Sequence, residues 1–217
     1  MKYEDVVARL ASLPATLPGP SPALRPVRLD ERGERHPTET IADRMKLDGP
    51  GRPASVLVLV TPGLNGDAVV ILTERVARGG HHSGEISFPG GVAEAEDADA
   101  IATALREAAE EVGLDPDVAG VRVIGTLDVF TIPISGFSVT PVLAIAERRP
   151  ALTPSPDEVA RILEAPVRHF LPGAPVEVHE RTERDWTLRF GAYRVEELMV
   201  WGATARILSQ LGAIVGD

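Results

Sequence analysis

The chain has 217 residues, 44% hydrophobic and 25% charged, which is enough to bury the core of one globular domain. It contains no cysteine, which excludes disulfide frameworks, thiolate metal sites and thiol nucleophiles. The formal charge of −10 has the wrong sign for gripping a nucleic-acid backbone, and no apolar run approaches the ~20 residues of a membrane span.

The N-terminus carries acids at Glu4 and Asp5 without an apolar leader, so it does not read as a secretory signal, and a cytoplasmic protein is expected. Residues 4 to 12 fit a short helix. Pro14, Pro18, Pro20, Pro22 and Pro26 then prevent regular hydrogen-bonded structure, so residues 1–53 are expected to form an N-terminal helix and a Pro-rich, surface-wrapping arm. From Ser55, SVLVLV and AVVILTE are β-branched runs around the turn-rich TPGLNGD, the pattern of a hairpin in a buried sheet. A single catalytic domain over 54–217 is expected to begin here. Further strands are expected at 121–130 and 137–146, with Pro133 and Gly136 marking the turn between them. Residues 156–171 read as helical or turn segments interrupted by Pro166. VEVHE and TLRFGAYRV suggest a late hairpin, and WGATARILSQLGAIV a closing amphipathic helix. Strands flanked by helices without strict alternation predict an α/β fold, a mixed β-sheet sandwiched between α-helices.

The stretch from Phe88 to Leu114, FPGGVAEAEDADAIATALREAAEEVGL, carries the chemistry. Its second half predicts a helix from 97 to 113, with Asp97 or Asp99 as N-cap and Gly113 ending it in a left-handed conformation. At 100° per residue Ile101, Leu105, Ala108 and Val112 share an apolar stripe. Glu107, Glu110 and Glu111 are related by i, i+3 and i+4 steps, and they cluster beside that stripe with Glu111 nearest to it. Carboxylates this close repel unless a cation bridges them, and an all-oxygen set suits Mg²⁺ or Mn²⁺. An acidic solvated face with Arg106 paired to Glu110 is the alternative for an isolated REAAEE. The FPGG turn upstream supplies backbone without side chains, where a carbonyl can ligate or a phosphate can approach.

Together these residues resemble the Nudix box, G-x5-E-x7-R-E-U-x-E-E-x-G-U with U a bulky apolar residue. Gly91, Arg106, Glu107, Glu110, Glu111, Gly113 and Leu114 match. Asp97 stands where the first Glu is expected, eight residues instead of seven separate it from Arg106, and Ala108 is small for the first U. The resemblance implies a Nudix fold in which Glu107, Glu110 and Glu111 hold metal ions, Gly90 donates a carbonyl and Arg106 orients a carboxylate. The preceding ILTERVARGGHHSGEISFPGG, residues 71–91, resembles the added signature of the coenzyme A diphosphatase branch through Leu72, Thr73, Arg75, His82, Gly84, Ile86, Phe88, Pro89, Gly90 and Gly91. Val76 and Gly80 depart from it. SPDEVARIL at 155–163 and WGATARIL at 201–208 resemble the same branch.

That resemblance implies metal-dependent hydrolysis of coenzyme A or its acyl derivatives to 3′,5′-ADP and 4′-phosphopantetheine. Arg75, Arg78 and His82 are the candidate substrate contacts. Arginine forks suit phosphate, with surface salt-bridging as the alternative. Glu158 is a candidate fourth carboxylate to polarise water, or else a helix N-terminal acid balancing the macrodipole. His81 and His82 have no partner cluster at zinc-ligand spacing, so zinc is not expected. The expected partner is a small-molecule nucleotide diphosphate, with neither nucleic acid nor membrane, and with a homodimer left open. Two rivals remain: a Nudix hydrolase of another diphosphate, such as a dinucleotide or nucleotide sugar, and a nucleotide-sensing module without turnover. The complete REAAEE argues against the second.

Overall fold

The computed structural model describes residues 1–30, 33, 35–36, 51–76, 85–132, 136–183 and 186–216. Helix α1 (Tyr3–Leu10) leads through a 3-10 turn (Pro22–Leu24) to β1 (Val27–Leu29) and β2 (Arg35–His36). Strands β3 (Arg52–Pro62) and β4 (Ala68–Arg75) form the expected hairpin, followed by β5 (Ile86–Ser87) and β6 (Gly90–Val92). Helix α2 (Ala100–Val112) and the single turn α3 (Pro116–Ala119) precede β7 (Val121–Thr126), β8 (Phe130–Ile132) and β9 (Phe137–Ala146). Strand β10 (Val159–Pro166) runs into a 3-10 turn (Val167–Phe170). Then β11 (Glu177–Glu183), β12 (Trp186–Val195) and β13 (Leu198–Trp201) lead to α4 (Gly202–Gly216).

The larger sheet has the order β10-β4-β3-β9-β7, with β5 on β4, β6 on β3 and β8 on β9. It is mixed because β3 and β9 run parallel while its other pairs are antiparallel. Alternation along β3 sends Leu57 and Leu59 to one face and Val58 and Val60 to the other, so each face has its own apolar cluster. Helix α2 covers the first face through Ala104, Ala108 and Val112. Helices α1 and α4 cover the second, together with Tyr193, Val195 and Val200 from a smaller sheet of order β11-β12-β1-β2 with β13 on β12. The sheet between helices agrees with the expected fold class. Among the described residues no helix is long and apolar enough to cross a membrane.

Two segments depart from the sequence reading. Residues 121–130 are not one strand: β7 ends at Thr126 and β8 begins at Phe130. Residues 156–171 keep the expected turn and helical character only at 156–158 and in the 3-10 turn Val167–Phe170, because Val159–Pro166 between them is strand β10. The apolar residues Val159, Leu163 and Ala165 have spacings that either period can use. A shift of register between Val159 and Arg161 offsets the alternation that would have betrayed the strand. Pairing with β4 from Val159 to Pro166 overrides the local preference.

The first thirty residues share the core of the rest. Val6, Leu10 and Leu24 are fully buried in the cluster beneath α4, β1 pairs with β12, and Arg9 donates to the carbonyl of Val215. A division into an arm at 1–53 and a domain at 54–217 thus remains a proposal about sequence, with one apolar core crossing it. Leu10→Ala is expected to destabilise the protein by ~2–5 kcal/mol in urea unfolding, as for other buried leucines. A loss below ~0.5 kcal/mol would show that the arm packs without contributing.

Candidate functional site

Helix α2 is set by its ends. The Asp99 side chain accepts from the N–H groups of Ile101 and Ala102, each at 2.9 Å, so Asp99 and not Asp97 is the N-cap. Gly113 closes the other end at φ 64°, its N–H reaching the carbonyl of Ala109 while Leu114 N–H reaches Ala108. The last carbonyls, on Glu111 and Val112, accept from Ser155 and Thr153 N–H at 2.8 and 2.9 Å. The loop before β10 thereby satisfies groups that a helix end leaves open.

The buried stripe is Ala104, Ala108, Glu111 and Val112, with Ile101 and Leu105 only half-buried. It keeps Ala108 and Val112 of the expected stripe but is rotated by roughly half a residue step towards Ala104, and that rotation carries Glu111 from the edge of the apolar surface into it. Side-chain exposure separates the three glutamates: 4% for Glu111, 15% for Glu107 and 57% for Glu110. The Glu111 carboxylate accepts from Gly90 N–H at 3.1 Å and has Arg75 Nη1 at 3.7 Å. Burial pushes its pKa up to about 7, against the opposing pull of Gly90 N–H and Arg75. Burial likewise raises Glu107, and Arg106 opposes that rise.

Two glycines make the approach possible. Gly90 has φ 156° and pairs with Val56, where a Cβ would meet the Ser55 carbonyl oxygen at 2.3 Å. A Cβ on Gly91 would meet the Glu107 carboxyl group at 2.5 Å. The FPGG turn therefore lies directly against both inner glutamates. It offers Gly90 N–H to Glu111, whereas the sequence reading gave Gly90 a carbonyl role.

Arg106 organises the outer side. Its fork meets Asp97 twice, Nε to Oδ1 and Nη2 to Oδ2 at 3.0 Å each, and reaches the Val92 carbonyl at 3.1 Å. Glu107 lies at 3.1 Å and Glu110 at 3.0 Å, the latter an i, i+4 pair. Asp97 also accepts from Thr103 Oγ1 and from Glu94 N–H, both at 2.9 Å. Hydrogen bonding from Arg106 holds the Asp97 carboxyl far below the usual carboxylate range, and Asp97 raises the guanidinium in return. Sequence comparison of the box marked Asp97 as a departure. Its role as the anchor of Arg106 was hidden by the longer spacing, which the structure absorbs in the turn from Glu94 to Asp97.

Helix and turn thus bring Glu107, Glu111, Arg106, Gly90 and Arg75 together, while Glu110 stays outside on Arg106. Glu158 sits in the turn before β10, which removes its reading as a helix N-terminal acid. Its charge raises both Glu107 and Glu111, and its carbonyl accepts from Val76 N–H at 3.0 Å. Arg78, Gly80 and His82 lie outside the described residues. Among those described, no three acidic or histidine side chains form a ready-made metal cage. Two carboxylates beside an open turn still fit Mg²⁺, which is commonly held by one or two carboxylates plus substrate phosphates.

An α/β scaffold holding buried carboxylates against a Gly-Gly turn defines the class of site, and comparison supplies the family. A family model described as NUDIX domain matches residues 51–181, and the chain belongs to the Nudix family, enzymes that act on pyrophosphate bonds. It is 39% identical over 173 residues to Nudix hydrolase 22, chloroplastic, of Arabidopsis thaliana, covering 76% of this chain and 55% of that protein. It is 37% identical over 174 residues to an uncharacterized Nudix hydrolase, NudL, of Citrobacter koseri, covering 76% and 83%. The chain thus spans little more than half the length of the first of these relatives. The crystal structure of a MutT/nudix family protein from Enterococcus faecalis is similar in fold, with a TM-score of 0.50 at 15% identity, covering 81% of this chain and 68% of that one.

Burial of Glu111 has a pH signature. A carboxyl group raised from 4.5 to about 7 binds a proton in the folded state that the unfolded state releases. Stability therefore falls as pH rises from about 4.5 to about 7, and the loss persists above that. The shift corresponds to roughly 3 kcal/mol. In chelator, Glu111→Gln should unfold at higher denaturant than the parent at pH 8, and the gap should close towards pH 4.5. A variant less stable than the parent at pH 8 would refute the burial penalty.

Proposed function

We propose that the chain hydrolyses the diphosphate linkage of coenzyme A or its acyl derivatives, giving 3′,5′-ADP and 4′-phosphopantetheine. The observation that carries the reading is the pairing of Glu107 and Glu111 with the bare backbone of Gly90 and Gly91. Nudix hydrolases generally need divalent cations such as Mg²⁺ or Mn²⁺. Glu107 and Glu111 would hold the cation here, and Glu110 could join only by leaving Arg106. When bound, the metal neutralises diphosphate charge and activates water for in-line attack at phosphorus. Arg106 holds Glu107 in place, Arg75 offers a guanidinium to phosphate, and Glu158, whose charge is felt by both Glu107 and Glu111, would take a proton from water.

The coenzyme A branch is supported by contacts among the three segments that resemble it. Thr204 of WGATARIL donates to the Ile86 carbonyl at 3.0 Å, and Val76 N–H donates to Glu158 of SPDEVARIL at 3.0 Å. Thr73 Oγ1 lies 3.2 Å from Ser87 Oγ. The 71–91 segment thus touches both of the others, the first through Val76 at the end of β4 and the second through β5, which leads into the Gly90 turn.

Activity is expected to vanish in chelator and to return with Mg²⁺ or Mn²⁺. Glu111→Gln should lower kcat by ~10²-fold or more while remaining folded, as for other strong electrostatic contacts. Undiminished turnover in metal-free protein would sink the mechanism.

Substrate choice is tested by a panel of diphosphates with products identified by mass. Coenzyme A carries a 3′-phosphate that its dephosphorylated form lacks, so kcat/KM should favour coenzyme A, and Arg75→Ala should shrink that preference. Faster hydrolysis of a dinucleotide or nucleotide sugar would overturn the branch and leave a Nudix hydrolase.

A further inference from the structure

A cavity of about 250 Å³ opens beside α4, where the Pro-rich arm, the loop from Leu171 to Val176 and Tyr193 of β12 converge. Helix α2 and its glutamates cover the other face of the larger sheet, so the cavity is separate from the carboxylates. The arm closes one side through Gly19 and Ser21, and α4 closes another through Ser209 and Ala213.

Packing around the cavity is otherwise tight. A Cβ on Gly191 would meet the Ala23 carbonyl oxygen, and one on Gly212 the Phe170 carbonyl oxygen. Segments pressed together this closely could have closed the gap with one larger side chain at Ala174 or Ala213, yet both lining residues are small. An unfilled space of this size forfeits packing contacts and costs stability. A molecule that filled it would restore them.

The lining also carries a directed polar group. Ser21 N–H donates to Ser209 Oγ at 2.8 Å, and the Ser209 hydroxyl hydrogen-bonds the Tyr193 phenol. Two hydroxyl groups bring two hydrogens, and the bond between them uses one. The second has no other acceptor among the described residues, so an acceptor in the cavity can take it. None of the described residues that line the space is charged, so an ion would lie there unpaired and poorly solvated. Benzene fills an apolar cavity of ~150 Å³, which by proportion suits roughly ten non-hydrogen atoms here.

We propose that this cavity binds an uncharged carbonyl compound the size of one substituted ring, with the Ser209–Tyr193 hydroxyl pair donating to its oxygen and the Pro-rich arm enclosing it. Such a ligand touches both the arm and α4, so its binding stabilises their contact by mass action. The site does not depend on the hydrolytic function proposed for the carboxylates.

The test titrates acetophenone, ethylbenzene and benzoate into the full chain, following binding by calorimetry and the thermal midpoint alongside. Acetophenone should bind saturably and raise the midpoint. Ethylbenzene, which keeps the ring and lacks the acceptor, should bind ~3- to 10-fold more weakly, the net worth of one hydrogen bond. Benzoate should leave the midpoint unchanged. Ala174→Leu and Ala213→Leu each push a larger side chain into the space and should weaken acetophenone binding by ~10-fold or more, with circular dichroism unchanged. If only one of them folds, that variant decides. Acetophenone that fails to saturate, that binds no better than ethylbenzene or benzoate, or that binds the folded variants as tightly as the parent overturns the site.

Discussion

Glu111 puts a carboxyl group where the sheet would otherwise receive an apolar side chain, and much of the local structure serves to make that tolerable. A buried carboxylate is costly unless hydrogen-bonded or paired. The Gly90 N–H and Arg75 oppose the cost, and both depend on backbone that few sequences could supply. Gly90 must lack a Cβ to lie against Ser55 and Val56, and Arg75 must end a strand that diverges from β3. The neighbouring helix residues are small for a related reason. Ala104 and Ala108 let α2 sit close to β3 and β9, which keeps Glu111 at the depth of the turn.

The outer side of the same helix solves a different problem. Glu94, Asp97, Glu107 and Glu110 all approach one guanidinium, so Arg106 gathers charges that would otherwise repel. Asp97 is the strongest of these partners because it meets two nitrogens of the planar fork, a geometry that lysine could not reproduce. Glu107 then stands between two environments, held by Arg106 on one side and open to Gly91 on the other. Glu110 faces solvent, where the alternative of an ordinary i, i+4 pair describes what is seen.

Helix α2, the first hairpin and the closing helix were legible because each has a single dominant period and recognisable ends. Gly113 and the TPGLNGD turn can be assigned from chemistry alone. Strand β10 was not legible, since a register shift blurs its alternation and its pairing partner lies far away in the chain. The smaller sheet was legible only as the late hairpin of β11 and β12; its partner β1 was hidden, being three residues long and joining β12 from more than 150 positions away, as Val27 opposite Arg189 shows. At the site, residue types and helical spacing picked out Glu107 and Glu111. The same spacing placed Glu111 nearest the apolar stripe, and it is the most buried of the three, although the stripe itself runs through Ala104, Ala108, Glu111 and Val112 and leaves Ile101 and Leu105 half-buried.

The Pro-rich arm takes part in this arrangement at a distance. Proline cannot donate from its backbone, but its carbonyl accepts, and Pro18 uses that capacity on Gln210. Ser21 N–H donates to Ser209 Oγ at 2.8 Å, and Arg9 reaches the far end of α4 at Val215. The arm thus grips α4 at several points along its length. At its other end α4 fixes β5 through Thr204 and Ile86, and β5 leads into the Gly90 turn. A segment that supplies no side chain to the candidate site is therefore linked, through one helix, to the backbone donor that faces the buried glutamate.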